Sequence, residues 1–290
     1  MLTEGPKVKD IATTRNASAT LYFVRHGKTQ FNQQHRVQGW CDSPLTEEGV
    51  DSARAAGREL ARIEFKAAYA SDLGRTRQTL AELLDARAQV RSDVDESREC
   101  DPAPTLQPRA SDAASPSTPR AARFLSALDE AAKTSSAAVL EGVAARCDAR
   151  LREWCYGNLE GGSGEKLHER LIEGFGRELT FAEENERLPE TADNLARLDP
   201  TQRAERFADI AKRLKSFLLD AGNALLAAGG GNAICTTHAF AIRTLMYLLD
   251  RTRVNDPLVI LNGSITRVVY DGTRFTLEET GVLQLPESIS

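Results

Sequence analysis

Short apolar runs that stop abruptly at polar residues constrain the fold of this chain most strongly. Leu21–Val24 stops at Arg25, and Ala68–Ala70 and Asn232–Thr237 end in the same way. Strands that are buried on both faces of a parallel sheet read as continuous apolar runs, and polar residues follow at their carboxyl ends. A helical pattern follows each run. This alternation predicts an α/β fold, namely a three-layer α/β/α sandwich with a mostly parallel central sheet.

Helix signals between these runs support that interpretation. Thr46, followed by two glutamates, is typical of an N-cap with an acidic first turn, and apolar residues then recur at helical spacing as far as Ile63. The glycine run at 229–231 would end a long amphipathic helix that begins near Phe207. Further helices are predicted at about 75–88, 124–133, 166–176 and 239–249, a strand-like segment at 146–151, and a closing hairpin at 265–270 and 275–279.

Two segments lack the periodicity of core structure. From about Ser92 to Arg123 the chain carries five of its 11 prolines, which predicts an irregular surface excursion. The segment Phe175–Pro200 is charged and poorly periodic, and it is expected to form lid material. We therefore divide the chain into a tail at 1–19 and one domain at 20–290, with a Pro/Ser/Ala-rich insertion at about 92–143 and a cap region at about 161–200.

Composition argues against several functional classes. Lysine and arginine number 37 against 42 acidic residues, and the resulting net charge of −5 argues against a nucleic-acid partner or an anionic membrane. No apolar run approaches the ~20 residues of a membrane span, and the first ten residues lack the apolar region of a secretory signal, so we expect a cytoplasmic protein. The five cysteines are scattered without a CxxC pair, which favours reduced thiols over disulfides or a zinc site.

Charged residues at the predicted strand ends point to a ligand. Three predicted strands are each followed by such residues, namely Arg25 with His26, Arg75, and His238. The ends of parallel strands meet at one edge of a sheet. Two guanidinium groups in one small site imply a doubly charged oxyanion, for which phosphate is the natural candidate. Taken singly, His26 could be a histidine satisfied by backbone at a strand end, and Arg75 a helix-start arginine paired with Asp72.

Five sequence blocks together resemble a known family. The blocks are Leu21–Asn32, Gln38–Gly49, Tyr69–Thr79, Leu151–Gly161 and Thr236–His238. They resemble the phosphoglycerate mutase-like branch of the histidine phosphatase superfamily, in the family's order, and span most of the chain outside 1–19 and about 92–143. The resemblance implies an enzyme of the histidine acid phosphatase type that acts on a small-molecule phosphomonoester without a metal or cofactor.

The resemblance also implies a role for each matching residue. His26 matches the nucleophile that forms a phosphohistidine, and Glu153 matches the acid that protonates the leaving alkoxide and then activates water. Residues that match phosphate-binding positions are Arg25, Asn32, Arg75, His238 and Thr29. Supporting or packing roles are expected for Glu160 with Gly161, for Trp40 and for Trp154, and solvated positions for His35 and His168.

Departures from the family pattern narrow the activity. Trp154 follows the acid where cofactor-dependent mutases carry an arginine, and the stretch from Gly161 to Pro200 lacks their adjacent arginine pair. These differences favour a phosphatase over the alternative, a cofactor-dependent phosphoglycerate mutase. A second alternative is a non-catalytic phosphate-binding or interaction module. The physiological substrate and the oligomeric state stay open at this point.

Overall fold

A computed structural model describes residues 17–96 and 117–289, and within these ranges the centre of the fold is a seven-stranded sheet. The strands are β1 (Ala19–Arg25), β2 (Phe65–Ala70), β3 (Ala137–Leu140), β4 (Val143–Cys147), β5 (Gly231–Thr237), β6 (Ile265–Tyr270) and β7 (Phe275–Val282). Their order is β3-β4-β2-β5-β1-β6-β7. The four central strands are parallel, and β3, β6 and β7 run antiparallel to their neighbours.

Helices cover both faces of this sheet, which confirms the predicted fold class. The helices are α1 (Gln30–Gln33), α2 (Glu47–Glu59), α3 (Gly74–Glu96), α4 (Pro119–Thr134), α5 (Gly164–Phe175), α6 (Phe181–Glu186), α7 (Leu188–Leu198), α8 (Phe207–Ala227) and α9 (Ala239–Leu249). Alternate side chains of β1 point to opposite faces of the sheet. Leu21 and Phe23 pack in one core with α8 and α9, and Tyr22 and Val24 pack in the other core with α2 and α3.

Local signals place the helix ends where the sequence predicts them. The Thr46 hydroxyl accepts a hydrogen bond from the amide of Gly49 at 3.1 Å and so caps α2. The predicted helices at 207–228 and 239–249 form as α8 and α9, and the closing hairpin forms as β6 and β7. Among residues 17–96 and 117–289, none of the helices combines the length and apolar character that a bilayer crossing requires.

The proline-rich segment contains more regular structure than its composition predicts. Helix α3 continues to Glu96, and α4 begins at Pro119 with Thr118 as its N-cap. Proline is tolerated in a first helical turn because its missing N–H would have no partner there. The strand-like segment predicted at 146–151 is shorter and earlier, since β4 ends at Cys147 and residues 149–151 form a 3₁₀ turn. The antiparallel β3 was not predicted, and residues 97–116, with four of the prolines, lie outside the described ranges.

The segment 175–200, which was expected to form lid material, is more regular than its charged composition suggests. Two short helices, α6 and α7, occupy most of this segment. In α7 the buried residues Leu188, Ala192 and Leu195 recur at helical spacing, and charged residues occupy positions between them. A capping box starts α6, because Thr180 and Glu183 exchange hydrogen bonds with each other's backbone amides. The cap is thus an ordered helical layer above the sheet edge.

Candidate active site

The carboxyl ends of β1, β2 and β5 bring the predicted residues to one edge of the sheet. Arg25 pairs in register with Thr237, and the next residues, His26 and His238, place their ring centroids 5.2 Å apart. Arg75 lies in the first turn of α3, directly after β2, and its Nη2 is 2.9 Å from Nδ1 of His238. The four strand-end residues predicted from the sequence therefore lie together, although up to 213 positions separate them along the chain.

The hydrogen bonds of His26 define its tautomer. Its Nδ1 lies 2.8 Å from the carbonyl oxygen of Gly27, which can only accept, so Nδ1 carries the proton and Nε2 keeps its lone pair. Burial, together with the neighbouring Arg75 and Arg25, lowers the pKa of His26 well below its ordinary value. A neutral imidazole with a free Nε2 is the form in which histidine acts as a nucleophile.

His238 has the opposite arrangement of protons. A guanidinium group can only donate, so Arg75 donates to Nδ1 of His238, and Nε2 carries the proton. That Nε2 is buried and has no hydrogen-bond partner within the described residues. Burial and the charge of Arg75 lower the pKa of His238 well below its ordinary value, so the ring is neutral and presents one N–H to the site.

Arg75 is held in place by the loop before α2. Its guanidinium donates to the carbonyl oxygens of Gly39 at 2.7 Å and Cys41 at 2.9 Å, and to Oδ1 of Asp42 at 3.0 Å. Its Nε is buried without a partner in the described part of the chain. The alternative pairing with Asp72 is wrong, because that carboxylate forms a two-bond ion pair with Arg152.

Glu160 organises the same loop. Its carboxylate accepts from the backbone amides of Gly39, Trp40 and Cys41 at 2.9 to 3.1 Å, and from that of Tyr156 at 2.9 Å. A carboxylate that accepts several amide hydrogen bonds holds a turn firmly. Glu160 thus orients the carbonyl groups that hold Arg75, which agrees with the supporting role that the family resemblance implies.

Arg25 is anchored from the opposite side. Its Nη1 donates to the carbonyl oxygen of Ile260 at 2.5 Å, and its Nε is buried without a partner within the described residues. Burial lowers the pKa of Arg25 to about 10, and the neighbouring charge of Arg75 acts in the same direction, whereas Glu153 raises it. Two guanidinium groups close enough to disfavour each other's charge form a site that is suited to an anion.

The loop after β1 adds Thr29 and Asn32. The side-chain Oδ1 of Asn32 accepts from the amide of Thr29 at 3.2 Å and from Nδ2 of Asn262 at 3.5 Å. The NH₂ group of Asn32 makes no hydrogen bond with the residues that the structure describes. The Thr29 hydroxyl donates to Gln38 at 2.7 Å and caps α1. The NH₂ group of Asn32 is thus available to donate to a ligand. The Thr29 hydroxyl could donate to a ligand only by giving up its hydrogen bond to Gln38.

Asn262 is a site residue that the sequence reasoning missed. Its Nδ2 donates to the carbonyl oxygen of His26 at 2.8 Å. It precedes β6, and β6 starts at the carboxyl end of β1 because the two strands are antiparallel, with Val24 opposite Ile265. A predicted hairpin does not reveal which strand it joins, so the sequence pattern carried no signal for this contact.

Glu153 lies at the amino end of α9. Its Oε2 accepts from the amide of Phe240, and its Oε1 from those of Ala241 and Trp154, all at 3.0 Å. The side chain is 4% exposed, and burial raises its pKa, although these amides and the two site arginines act against the rise. A carboxyl group with a raised pKa can hold a proton and donate it.

One family model matches most of this chain. The model of the histidine phosphatase superfamily (branch 1) matches residues 21–102 and 165–282, more than half of the 290 residues. The chain belongs to the histidine phosphatase superfamily. The matched ranges include His26, Arg75 and His238, whereas Glu153 lies in the gap between them.

Curated relatives of this chain carry mutase names. The chain is 46% identical over 66 residues to the probable phosphoglycerate mutase GpmB of Enterobacter sp. (strain 638), and the match covers 23% of this chain and 31% of that protein. It is 42% identical over 71 residues to the 2,3-bisphosphoglycerate-dependent phosphoglycerate mutase 2 of Gloeobacter violaceus, covering 24% and 32%. The match thus spans about a third of the length of these curated relatives.

Solved structures extend the likeness over the whole fold. The phosphoglycerate mutase from Bacillus anthracis str. Sterne superposes with a TM-score of 0.69 at 28% identity, over 93% of this chain and 96% of that chain. A mycobacterial glucosyl-3-phosphoglycerate phosphatase superposes with a TM-score of 0.56 at 19% identity, over 91% and 99%, a likeness of fold alone. These matches confirm the phosphoglycerate mutase-like branch of the superfamily.

The remaining candidate residues lie at the rim of the site or in the core. His35 is exposed in the loop after α1, and His168 on α5 is half exposed with its Nε2 3.1 Å from a carboxylate oxygen of Glu178. Trp154 is buried, and its indole N–H donates to Thr244. Trp40 is 41% exposed, and its indole N–H donates to the backbone carbonyl of Glu153.

Proposed function

We propose that this chain is a metal-independent phosphomonoester hydrolase that acts through a phosphohistidine on His26. The observation that carries the proposal is a set of unpaired donors. Within the described residues, Nε of Arg25, Nε of Arg75 and Nε2 of His238 are buried without hydrogen-bond partners, beside the free Nε2 of His26. Unpaired buried donors are costly unless a ligand satisfies them, and a phosphoryl group offers three oxygens to do so.

The first step transfers the phosphoryl group to the enzyme. The lone pair on Nε2 of His26 attacks phosphorus, and the bond from phosphorus to the ester oxygen breaks. The departing oxygen takes the proton that Glu153 holds. The unpaired donors stabilise the charge on the phosphoryl oxygens without reorganising during the reaction.

The second step returns the enzyme to its starting state. A water molecule attacks the phosphorus of the phosphohistidine, Glu153 takes one proton from that water, and the bond from phosphorus to Nε2 breaks. Inorganic phosphate leaves, and Glu153 is again protonated. The carbonyl oxygen of Gly27 holds the His26 proton on Nδ1 throughout, so the ring leaves as a neutral imidazole.

The cap supports a phosphatase rather than a mutase. A phosphoglycerate mutase needs cations for the substrate carboxylate, and the arginines of the cap already bind protein groups. Arg170 donates to the carbonyl oxygen of Leu198, Arg177 pairs with Glu183, Arg187 with Glu190, and Arg197 donates to Asn194. The mutase-named curated relatives match only about a quarter of this chain, so their names carry little weight for the cap.

Hydrolysis of para-nitrophenyl phosphate in EDTA tests the proposal. We expect turnover by the wild type, and a loss of at least about 10⁴-fold in His26→Ala, because no other group takes the phosphoryl group. His35→Asn is the matched control, since asparagine tolerates the positive φ of 53° at this exposed position. Circular dichroism checks that both variants are folded.

Four results would contradict the proposal. Activity that the chelator removes would contradict metal independence, and near wild-type activity of His26→Ala would contradict the nucleophile assignment. Interconversion of phosphoglycerates that depends on 2,3-bisphosphoglycerate would establish the mutase alternative. A protein inert on all phosphoesters that still binds phosphate would be a non-catalytic module.

A further inference from the structure

A cavity of about 220 Å³ lies between the cap helices and the residues that follow Glu153. Its walls come from the aromatic rings of Trp154, Tyr156, Phe181 and Phe240, together with leucines of α5 and α7. Trp154 follows Glu153 directly, and the backbone amides of Trp154 and Phe240 both donate to the Glu153 carboxylate. Two residues of the cavity lining, Trp154 and Phe240, therefore contact the group that protonates the leaving oxygen, near which the alcohol part of a substrate has to lie.

The aromatic rings form a continuous wall. The ring centroids of Trp154 and Phe240 are 5.0 Å apart, and those of Phe181 and Phe240 are 6.3 Å apart with the rings nearly perpendicular. The faces of aromatic rings carry partial negative charge and attract cations within about 6 Å. A wall of this composition accepts either an apolar group or an organic cation.

One carboxylate in the lining distinguishes these two ligands. Glu184 on α6 lines the cavity and is half-buried, and its carboxylate makes no hydrogen bond or ion pair with any residue that the structure describes. Its neighbour Glu183 instead completes the capping box of α6 and pairs with Arg177 at 2.8 Å. His168 also lines the cavity, and its Nε2 lies 3.1 Å from a carboxylate oxygen of Glu178. Burial raises the pKa of Glu184, and the neighbouring His168 opposes this rise.

Positive charge lies on the far side of the Phe181 and Phe240 rings. Arg25 and Arg243 line a separate cavity of about 170 Å³ that shares only these two rings with the first. The guanidinium of Arg243 donates to the carbonyl oxygens of residues 254, 257 and 258. The lining of the 220 Å³ cavity thus contains an unpaired carboxylate and no arginine or lysine.

We propose that this cavity binds an ammonium group on the alcohol part of the substrate, so that the preferred substrates are phosphomonoesters of amino alcohols. The inference rests on the proposed hydrolase function. The phosphate lies on the arginines and His238, and the ammonium group lies between the aromatic rings and Glu184. The volume, equal to about seven waters at about 30 Å³ each, suits a small substituted ammonium group.

A pair of substrates of the same shape tests the charge directly. Choline phosphate and 3,3-dimethylbutyl phosphate differ in that a carbon replaces the quaternary nitrogen. We expect the wild type to prefer choline phosphate at least tenfold in kcat/KM, and Glu184→Gln to reduce this ratio about tenfold. Glu190→Gln is the matched control, because it removes an exposed cap carboxylate outside the cavity, and its ratio stays at the wild-type value.

The outcomes separate this inference from the proposed function. Suppose that the wild type hydrolyses para-nitrophenyl phosphate, which supports the hydrolase. A kcat/KM ratio of choline phosphate to its carbon analogue near one then overturns the ammonium site, and so does a ratio that Glu184→Gln leaves unchanged. If the wild type hydrolyses no phosphoester, calorimetric titration with the same two compounds tests the ammonium site. Tighter binding of choline phosphate than of its carbon analogue supports the ammonium site, and equal binding overturns it.

Discussion

The floor of the active site consists of Arg25, His26, Arg75, Glu153 and His238. This floor and the cavity under the cap are constructed in opposite ways. On the floor, Arg75 and Glu153 are each held by several backbone groups. In the cavity, the walls are aromatic side chains, and the carboxylate of Glu184 has no partner among the described residues. A transition state needs donors that do not move, so its groups are fixed by backbone. Substrate choice needs only side chains, which can differ while the floor stays the same.

The two regions also come from different kinds of structure. The floor lies where three parallel strands end, and the sheet determines the distances between its residues. The cavity lies between short helices of the cap and the residues that follow Glu153. Variants of the floor should therefore lower the rate on every substrate, whereas variants of the cavity should change the ranking of substrates. The following predictions test this contrast.

The largest effect is expected for Arg75→Ala. The variant removes the unpaired Nε donor and the positive charge of Arg75 and leaves the proton acceptor of His238 unpaired, so kcat/KM for para-nitrophenyl phosphate should fall about 10³-fold. Arg77→Ala is the matched control, because this arginine lies on the same helix but pairs with Asp129 at 2.7 Å, and it should lose less than threefold. Equal losses in the two variants would place Arg75 outside the phosphate site.

Glu153→Gln should separate substrates by their leaving groups. Loss of the acid should lower the rate on an alkyl phosphate about 100-fold, since an alkoxide needs a proton to leave. The loss on para-nitrophenyl phosphate should be less than tenfold, because nitrophenolate leaves without one. Steady-state rates on both substrates measure this difference, and similar losses would remove the acid role from Glu153.

The pH profile should report the same two groups. Burial raises the pKa of Glu153, so its proton is retained to higher pH than in water, and kcat/KM on an alkyl phosphate should fall about tenfold per pH unit above that pKa. Burial lowers the pKa of His26, so the acidic limb should begin below the ordinary value near 6.5. In Glu153→Gln the alkaline limb should disappear, and an unchanged limb would assign it to another group.

The smallest effect on the floor is expected for Asn262→Ala. The variant loses one hydrogen bond to the backbone of His26, so kcat should fall about tenfold while KM changes less than threefold. Asn232→Ala is the matched control, because that amide bonds the carbonyl of Glu64 at the opposite end of the sheet. A change confined to KM would show that Asn262 acts on binding rather than on the position of His26.

Much of the floor could be predicted from the sequence because its signals are local. The apolar run of β1 followed by Arg25 and His26 marks a strand end, and Thr46 marks the start of α2. Since parallel strands end at one edge of a sheet, their shared direction was enough to predict that Arg75 and His238 lie near Arg25 and His26. Glu153 could be predicted only from the family resemblance, because a single glutamate after an irregular segment carries no signal of its own.

The cap was predicted less well for a physical reason. Helix α6 has six residues, too few to show a helical period, and it buries only Asn185. Helix α7 has an apolar face at helical spacing, but its packing with Leu171 of α5 is a contact that a local pattern does not record. The continuation of α3 to Glu96 and the start of α4 at Pro119 were hidden by the composition of the segment between them.

The sequence by itself determined the fold class, the edge of the sheet that holds the site, and the residues that meet there, because apolar periodicity and strand ends are local properties of the chain. Only the tertiary structure decided how those residues are paired. It joins Arg75 to Asp42 rather than Asp72, brings Asn262 to His26, and leaves Glu184 unpaired in an aromatic cavity. Such pairings depend on distances between residues far apart in the chain, which the three-dimensional fold alone sets.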